Sequence, residues 1–306
     1  MIIIRRLEDL EPGPPSVVTV GVFDGVHIGH QTIMRIVRAA ADERKSRAVA
    51  VTFDRMPEEV VSPKSVTPYI TTLDQKLELI AAQGMDLAVV LPVEERILGM
   101  SAEQFVRNVL CRKLQTQQLV VGTNFVFGKG RSGNTELLRQ MGQQCGFEVV
   151  GMSPIKLDGS LVSSTVIRRL ISAGNIERAN EMLGRAFALR GEVVHGEGIG
   201  TQLGFPTANI RVPDRQILPG NGVYATTVHL DAGKWIGAMN IGMRPTVGGR
   251  TTLVEVYIVG FSGNIYGREL RVEFHRRLRE ETRFADTDAL KQQIRTDVQR
   301  IVEMLE

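Results

Sequence analysis

The chain has 306 residues, of which 43% are hydrophobic and 23% charged, and its net charge is +3. That length exceeds the usual size of one hydrophobic core, so two domains are expected, with the composition of an ordinary soluble globular protein. The basic residues are scattered, which gives little support to a nucleic-acid partner, and no apolar run approaches the ~20 residues of a membrane span.

From the amino terminus to about residue 183, short apolar runs alternate with amphipathic stretches. Strands are predicted at Val17–Val22, Ala48–Phe53, Leu87–Leu91, Leu119–Gly122 and Phe147–Met152. Helices are predicted at Gln31–Glu43, Asp74–Gln83, Ala102–Arg112 and Thr135–Cys145, with Ser101 and Gln104 as a capping box. This alternation reads as an α/β domain with a doubly wound parallel sheet, whose ligands bind beyond the carboxyl ends of the strands. Cys111 and Cys145 lack the paired short spacing of a zinc site or disulfide framework and fit a reducing cytoplasm. Two short helices follow, Thr165–Ser172 and Ile176–Leu183, with Gly174 ending the first and Asn175 capping the second. Leu183-Gly184-Arg185 then marks the expected boundary, giving domains 1–184 and 185–306.

Beyond Phe187 the period changes to two. Leu189–Val194, Val223–Leu230, Trp235–Ile241, Leu253–Val259 and Glu269–Phe274 are separated by glycine-bearing turns such as Asp231-Ala232-Gly233. These predict an antiparallel sheet, and glycine at its corners favours a small closed barrel. Trp235 is expected in its core. A terminal helix carries Leu290, Ile294, Val298, Ile301 and Leu305 on one face, with Thr287 or Asp288 as its cap.

Two stretches point to phosphate. In Gly21-Val22-Phe23-Asp24-Gly25-Val26-His27-Ile28-Gly29-His30, the loop after a strand enters a helix, so both imidazoles can face the space above the helix N-terminus. That end carries unpaired N–H groups and about half a positive charge, which favour phosphate. Gly25 and Gly29 permit close backbone approach. The matching chemistry is nucleotidyl transfer, in which an acceptor phosphate attacks the α-phosphorus of ATP and pyrophosphate leaves. Taken alone, His-x-Gly-His is equally compatible with an ordinary strand-to-helix turn. A second element, Ser163-Ser164-Thr165-Val166-Ile167-Arg168, adds hydroxyls, N–H groups and a guanidinium at a helix start, although serine and threonine also cap helices routinely. Gly128-Lys129 falls short of a P-loop, since Gly130 stands where the magnesium-binding hydroxyl belongs.

Phe23-Asp24-Gly25-x-His27-x-Gly29-His30 with Ser164-Thr165-x-x-Arg168 resembles the nucleotidylyltransferase superfamily, and in particular the FMN adenylyltransferase module of bacterial bifunctional riboflavin kinase/FAD synthetases. Val121-Gly122-Thr123-Asn124-Phe125-Val126-Phe127-Gly128 is similar to that family's nucleotide-site loop. The resemblance implies that His27 and His30 act on the ATP phosphates. It places Gly21, Phe23, Asp24, Gly25, Gly29, Asn124, Ser164, Thr165 and Arg168 around the same site. The chain departs from the family at Thr52-Phe53-Asp54-Arg55-Met56-Pro57, where many relatives carry Pro and His in place of Arg55 and Met56. That departure leaves open a kinase with a weakened adenylyltransferase.

In the second stretch, Gly196, Gly198, Gly200 and Gly204 form a backbone-rich loop, and Pro206 fixes the chain before Thr207. Thr207 and Asn209 project to one side of an extended segment and offer the hard oxygen ligands that magnesium on a nucleotide accepts. The glycines alone fit a barrel corner better than a phosphate loop. Gly204-Phe205-Pro206-Thr207-Ala208-Asn209 in an all-β setting is similar to the riboflavin kinase family, a six-stranded antiparallel β-barrel with a carboxy-terminal helix. Ala238-Met239-Asn240-Ile241-Gly242-x-Arg244-Pro245-Thr246 and Tyr266-Gly267 extend the likeness. The implied reaction moves the ATP γ-phosphoryl group to the ribityl 5′-hydroxyl of riboflavin, a poor nucleophile that needs a base. Glu255 stands at the position of the family's catalytic glutamate, although by pattern alone it reads as a solvent-facing strand carboxylate.

His195, His229 and His275 are dispersed and read as structural or exposed. Arg268, Arg271, Arg276, Arg277 and Arg279 read as a solvated basic surface. The expectation is a cytoplasmic bifunctional enzyme that takes ATP, riboflavin and FMN as small-molecule substrates with Mg²⁺ and yields FMN and FAD. Nucleic acid and membrane are not expected as partners, and the oligomeric state is open between monomer and weak homo-oligomer. A flavin- or nucleotide-binding regulator without catalysis is the alternative; it would have no use for the base Glu255.

Overall fold

The structure is a computed structural model that describes residues 1–57, 59, 67–231, 233–246 and 249–306; for residues 95, 199, 244–246 and 249–251 it describes the backbone alone. Ala232 of the Asp231-Ala232-Gly233 turn therefore lies outside the described residues. The chain forms two compact units, Met1–Ser164 and Thr165–Glu306.

The first unit is an α/β layer structure. Its strands are β1 (Ile2–Ile4), β2 (Ser16–Val20), β3 (Arg47–Phe53), β4 (Leu87–Leu91), β5 (Thr116–Gly122) and β6 (Glu148–Met152), and a small hairpin pairs β7 (Lys156–Leu157) with β8 (Ser160–Leu161). The large sheet runs β1-β4-β3-β2-β5-β6 with every pairing parallel. The helices are α1 (Ile28–Glu43), α2 (Leu73–Ala82), α3 (Glu95–Leu98), α4 (Ala102–Phe105), which continues as a π-helix over Val106–Lys113, and α5 (Thr135–Cys145).

Successive residues of β2 face opposite sides of the sheet, and each side has its own cover. Val17 packs with Met34, Val37 and Ala41 of α1 and Ile80 of α2. Val18 and Val20 pack with Val106, Val109 and Leu110 of the π-helix and Leu138 and Met141 of α5. Burial on both faces is what makes β2 and β4 read as continuous apolar runs. From β2 the chain builds outward through β3 to β4, and it later returns to the other side of β2 with β5 and β6. The switch point therefore lies between β2 and β5, where ligands of such sheets bind.

The second unit opens with α6 (Ser164–Ser172) and α7 (Ile176–Leu183), followed by β9 (Phe187–Val194), α8 (Ile199–Gln202), β10 (Thr207–Arg211), β11 (Gly222–Leu230), β12 (Gly233–Thr246), β13 (Gly249–Ile258), β14 (Glu269–Arg279) and α9 (Thr287–Leu305). The strands close into an antiparallel barrel in the order β10-β13-β12-β11-β14-β9, with β10 pairing back to β9. Tyr224, Phe274 and Phe187 form an aromatic core. On the outer wall, Val223 and Ala225 pack against Ile301 and Leu305 of α9.

Four details depart from expectation. The contacts divide the chain at Ser164/Thr165, ahead of the expected 184/185 boundary, because α7 is tied to the barrel: Asn180 donates to Phe274 O (2.8 Å) and accepts from Phe187 N (2.7 Å). The cap of α9 is Asp286, whose extended backbone lets its carboxylate accept from Ala289 N at 2.8 Å. Trp235 is half-buried on the barrel exterior and meets Phe261 edge-on. Two of the five arginines read as a solvated surface are drawn in, Arg279 onto buried Asp297 and Arg277 onto Asn221 O, while Arg268, Arg271 and Arg276 stay in surface ion pairs with Asp231, Glu273 and Glu177.

Candidate active sites

The turn after β2 is built from backbone states that side chains rarely adopt. Phe23 (φ 52°) and Val26 (φ 39°) lie in the left-handed region beside Gly25 (φ 77°). For a bulky or β-branched residue this costs of order 1–3 kcal/mol and persists only where surroundings enforce it. Here they do. Phe23 and Val26 are buried, Asp24 accepts from Ile70 N (3.0 Å) and Thr71 N (3.3 Å), and Gly25 N donates to the Thr71 hydroxyl (3.2 Å). Ser164 Oγ donates to Asp24 O at 2.9 Å.

This turn delivers His27 as the N-cap of the 16-residue α1, in extended conformation and without a side-chain cap bond. Its ring stacks on His30 with centroids 3.6 Å apart, and Phe23 meets His30 edge-on. Beside the rings lies a cavity of about 220 Å³ between the carboxyl ends of β2, β5 and β6. Gly21, Phe23, His27, Gly29, His30 and Asn124 line it with Thr123 of the same loop, as do Met152 and Ser153, which the sequence did not single out. Asp24 and Gly25 face instead the segment at Ile70 and Thr71. Thr165 and Arg168 sit on the first turns of α6, within the second unit. Across the departure from the family pattern, Met56 is buried and Arg55 Nη2 donates to Val93 O at 2.7 Å.

On the barrel, Thr207 and Asn209 alternate with buried Ala208 and Ile210 along β10. Asn209 lies directly opposite Glu255 of β13, and Glu255 directly opposite Asn240 of β12. Directly paired residues share a face, so Glu255 stands on the outer wall in a row between two amides. The loop before β10 fits these side chains closely. A Cβ on Gly196 would collide with the Asn209 amide, and one on Gly200 with Phe205 O and the Thr207 hydroxyl.

A cavity of about 490 Å³ opens over this wall. Its lining includes Gly198, Gly200, Thr207, Glu255 and Tyr257 on one side and Leu290, Ile294 and Val298 of α9 on the other. The apolar face of α9 read from the sequence thus forms a wall of the cavity through three of its five residues. Arg279 fixes α9 to the barrel: its Nη2 lies 2.7 Å from buried Asp297, whose other oxygen accepts from Gln293 at 2.8 Å. Glu197 lines the cavity too, whereas Gly204 (φ 83°) serves the turn into β10.

A helix terminus beside a cavity at the switch point of a parallel sheet, joined in one chain to a barrel with a carboxylate on its cavity wall, is the layout of a two-site transferase. The family model described as FAD synthetase matches residues 11–166, and that described as riboflavin kinase matches residues 183–305. Bifunctional riboflavin kinase/FMN adenylyltransferases are similar over nearly the whole length. The protein from Pseudomonas fluorescens is 39% identical (97% of this chain, 96% of the relative), that from Haemophilus influenzae 36% (92% and 91%), and that from Escherichia coli K12 34% (97% and 96%). A crystal structure described as a macrolide-efflux protein from Streptococcus pneumoniae superposes with a TM-score of 0.90 at 29% identity, covering 97% of each chain. Among the described residues of the present chain, no helix is long and apolar enough to cross a membrane.

The chain belongs to the family of bifunctional riboflavin kinase/FMN adenylyltransferases. It phosphorylates riboflavin to FMN with ATP, then adenylylates FMN to FAD with release of pyrophosphate.

Proposed function

We propose that the two reactions are carried by the two cavities, with Glu255 as the general base of the kinase and His27 and His30 as the phosphate-acting residues of the adenylyltransferase. Glu255 accepts the proton of the ribityl 5′-hydroxyl as that oxygen attacks the γ-phosphorus of ATP and the bond to the β–γ bridging oxygen breaks, releasing ADP. The observation that carries this reading is Glu255 on the wall of the larger cavity with Thr207 and Asn240, and paired across the sheet with Asn209 just outside that lining. Thr207, Asn209 and Glu255 are all oxygen donors, which fits Mg²⁺; Thr207 and Asn209 would hold it, and it would supply charge neutralisation of the ATP phosphates.

In the smaller cavity, the nucleophile is a phosphate of FMN that is already anionic, so no base is required. The imidazoles and the first-turn N–H groups of α1 hold the triphosphate and stabilise charge as pyrophosphate leaves. Gly21, Phe23, Gly29 and Asn124 shape the cavity, and Asp24 and Gly25 hold the turn. Ser164, whose hydroxyl donates to Asp24 O, steadies the same turn. Gly196, Gly198, Gly200 and Gly204 form the kinase phosphate loop. The free thiols of Cys111 and Cys145 support a cytoplasmic location.

The functional modules are assigned to 1–184 and 185–306, with α6 and α7 as the connecting pair. A fragment beginning at Thr165, which keeps the Asn180 bonds to the barrel, is expected to make FMN and no FAD, with a higher melting temperature than one beginning at Ala186. Steady-state production of FMN and FAD tests the assignment of residues. Asn209→Ala is expected to damage FMN formation and spare FAD formation from supplied FMN, and His30→Ala to do the reverse. Loss of FMN formation in His30→Ala with adenylylation intact would invert the assignment.

A further inference from the structure

Lys76 lies on the first turn of α2 and is buried, although its place on an amphipathic helix reads as an exposed cation. Its Nζ donates to Phe53 O at 2.6 Å and to Val22 O at 3.2 Å. Phe53 is the last residue of β3, and Val22 immediately precedes Phe23, the first left-handed residue of the turn that presents His27. Thr52 Oγ1 also donates to Val22 O, at 3.1 Å. One ammonium thus spans the carboxyl ends of two neighbouring strands at the point where the chain departs into the turn. The rest of the turn is gripped from the same side, through Asp24 and Gly25 on residues 70 and 71.

We propose that Lys76 is a positioning residue for adenylyl transfer, holding the ends of β2 and β3 together so that the turn sets His27 and His30 against the ATP phosphates. It lines a separate cavity of about 30 Å³ and so acts through the turn rather than on substrate. The charged and titratable groups around it are Asp24 on the turn, Asp54 and Arg55 after β3, and Tyr69 before α2, the last donating to Glu59 at 2.6 Å. Burial pulls the Lys76 pKa down to about 8 against the opposing pull of Asp24 and Asp54. Charge-assisted hydrogen bonds are roughly twice as strong as neutral ones, so loss of this proton loosens the grip on both carbonyls. FAD formation therefore has an alkaline limb near pH 8 that FMN formation on the same chain lacks.

This limb is separable from unfolding. A lysine with a lowered folded pKa leaves the unfolded state holding more protons between about 8 and the ordinary 10.5, so this group makes stability rise with pH in that window. Activity falls while the contribution of Lys76 to stability does not.

The inference rests on His27 and His30 acting on phosphate; retention of FAD formation in His30→Ala would overturn that reading whatever Lys76 does. The test is Lys76→Met and Lys76→Arg in the full-length enzyme, with FAD formation from supplied FMN, FMN formation from riboflavin, and melting curves from pH 6.5 to 9.5. Lys76→Met is expected to lower kcat for FAD at least tenfold, with KM for FMN and ATP within threefold and FMN formation within twofold. Lys76→Arg, which keeps its charge, is expected to recover most of that kcat and to move the alkaline limb upward. Should Lys76→Met fail to fold, the limb in Lys76→Arg alone decides. An unmoved limb, a kcat within twofold of the parent in Lys76→Met, or a parallel loss of both activities overturns the proposal.

Discussion

Under the proposed assignment, the two units bind the same co-substrate by opposite means. The parallel sheet uses its topology: strands β2 and β5 part at their carboxyl ends, a strained turn fills the gap, and a helix terminus supplies positive charge from the backbone. The closed barrel has no such switch point, and its proposed chemistry falls on outer-wall side chains: Thr207 and Glu255 line the cavity against α9, and Asn209 pairs with Glu255 across the sheet. The difference follows the nucleophiles. A flavin phosphate arrives anionic and needs only placement and charge stabilisation, whereas a ribityl hydroxyl must lose a proton. A backbone can supply the first service; the second needs a carboxylate.

Glu255→Gln presses hardest on this comparison. It is expected to lower kinase turnover by about 10²–10⁴-fold, the range for a positioned base, while FAD formation from supplied FMN stays at the parent rate. A kinase rate within a few-fold of the parent removes Glu255 from the mechanism. Arg279→Met probes how the barrel wall is held: leaving Asp297 buried with Gln293 but without its counter-charge is expected to destabilise the second unit by about 3–5 kcal/mol. Differential scanning calorimetry should show one transition moving down, and FAD formation should survive at temperatures below it. Equal loss of both activities would mean that the units do not melt independently.

Gly200→Ala asks whether the glycine loop matters through its shape. The added Cβ meets Phe205 O and the Thr207 hydroxyl, and a displacement near 1 Å costs roughly a hundredfold in rate. FMN formation should fall by that order without change in FAD formation. The smallest expected effect is in the first unit. Burial pushes the Asp86 carboxyl up, but the Ala48 N–H and Arg38 outweigh it and hold its pKa below the ordinary 3.8. The stability it contributes is present above that value and is lost as pH falls through the lowered one. Asp86→Asn should therefore lower the melting temperature slightly at pH 6, and the gap should close in strong acid.

Where sequence reading succeeded, local and tertiary signals agreed. The helices at Thr135–Cys145 and Ile176–Leu183 appear with their expected ends, because Asn134 and Asn175 cap their starts and Gly146 and Gly184 take the left-handed positions at their ends. Ile2–Ile4 gave too short a run to call a strand, and only its pairing with Leu87–Val89 makes it one. The stretch Ala102–Arg112 reads as one continuous helix, yet from Val106 it is π-helical, a change of hydrogen-bond register that composition does not encode. At the sites, motif residues were legible because glycine, histidine and hydroxyl spacing is unusual. Lys76 was not, since a lysine on an amphipathic helix normally faces water, and only the folded positions of Val22 and Phe53 give it partners. Leu290, Ile294 and Val298 carried the right periodicity, but an apolar stripe does not say whether it covers protein or ligand.

The central place of β2 has a further consequence during synthesis. Residues 16–20 leave the ribosome well before their partners on the sheet, residues 47–51 and 116–120. Until β5 has been made, Val17, Val18 and Val20 sit on an exposed apolar edge, the kind of surface that invites wrong pairing. The nascent chain must therefore hold a half-built sheet open for roughly a hundred residues, about 5–20 s at usual elongation rates. Slow codons or a chaperone acting before Thr116 appears would touch the adenylyltransferase first, while the barrel, whose strands lie later in the chain, would assemble unaffected.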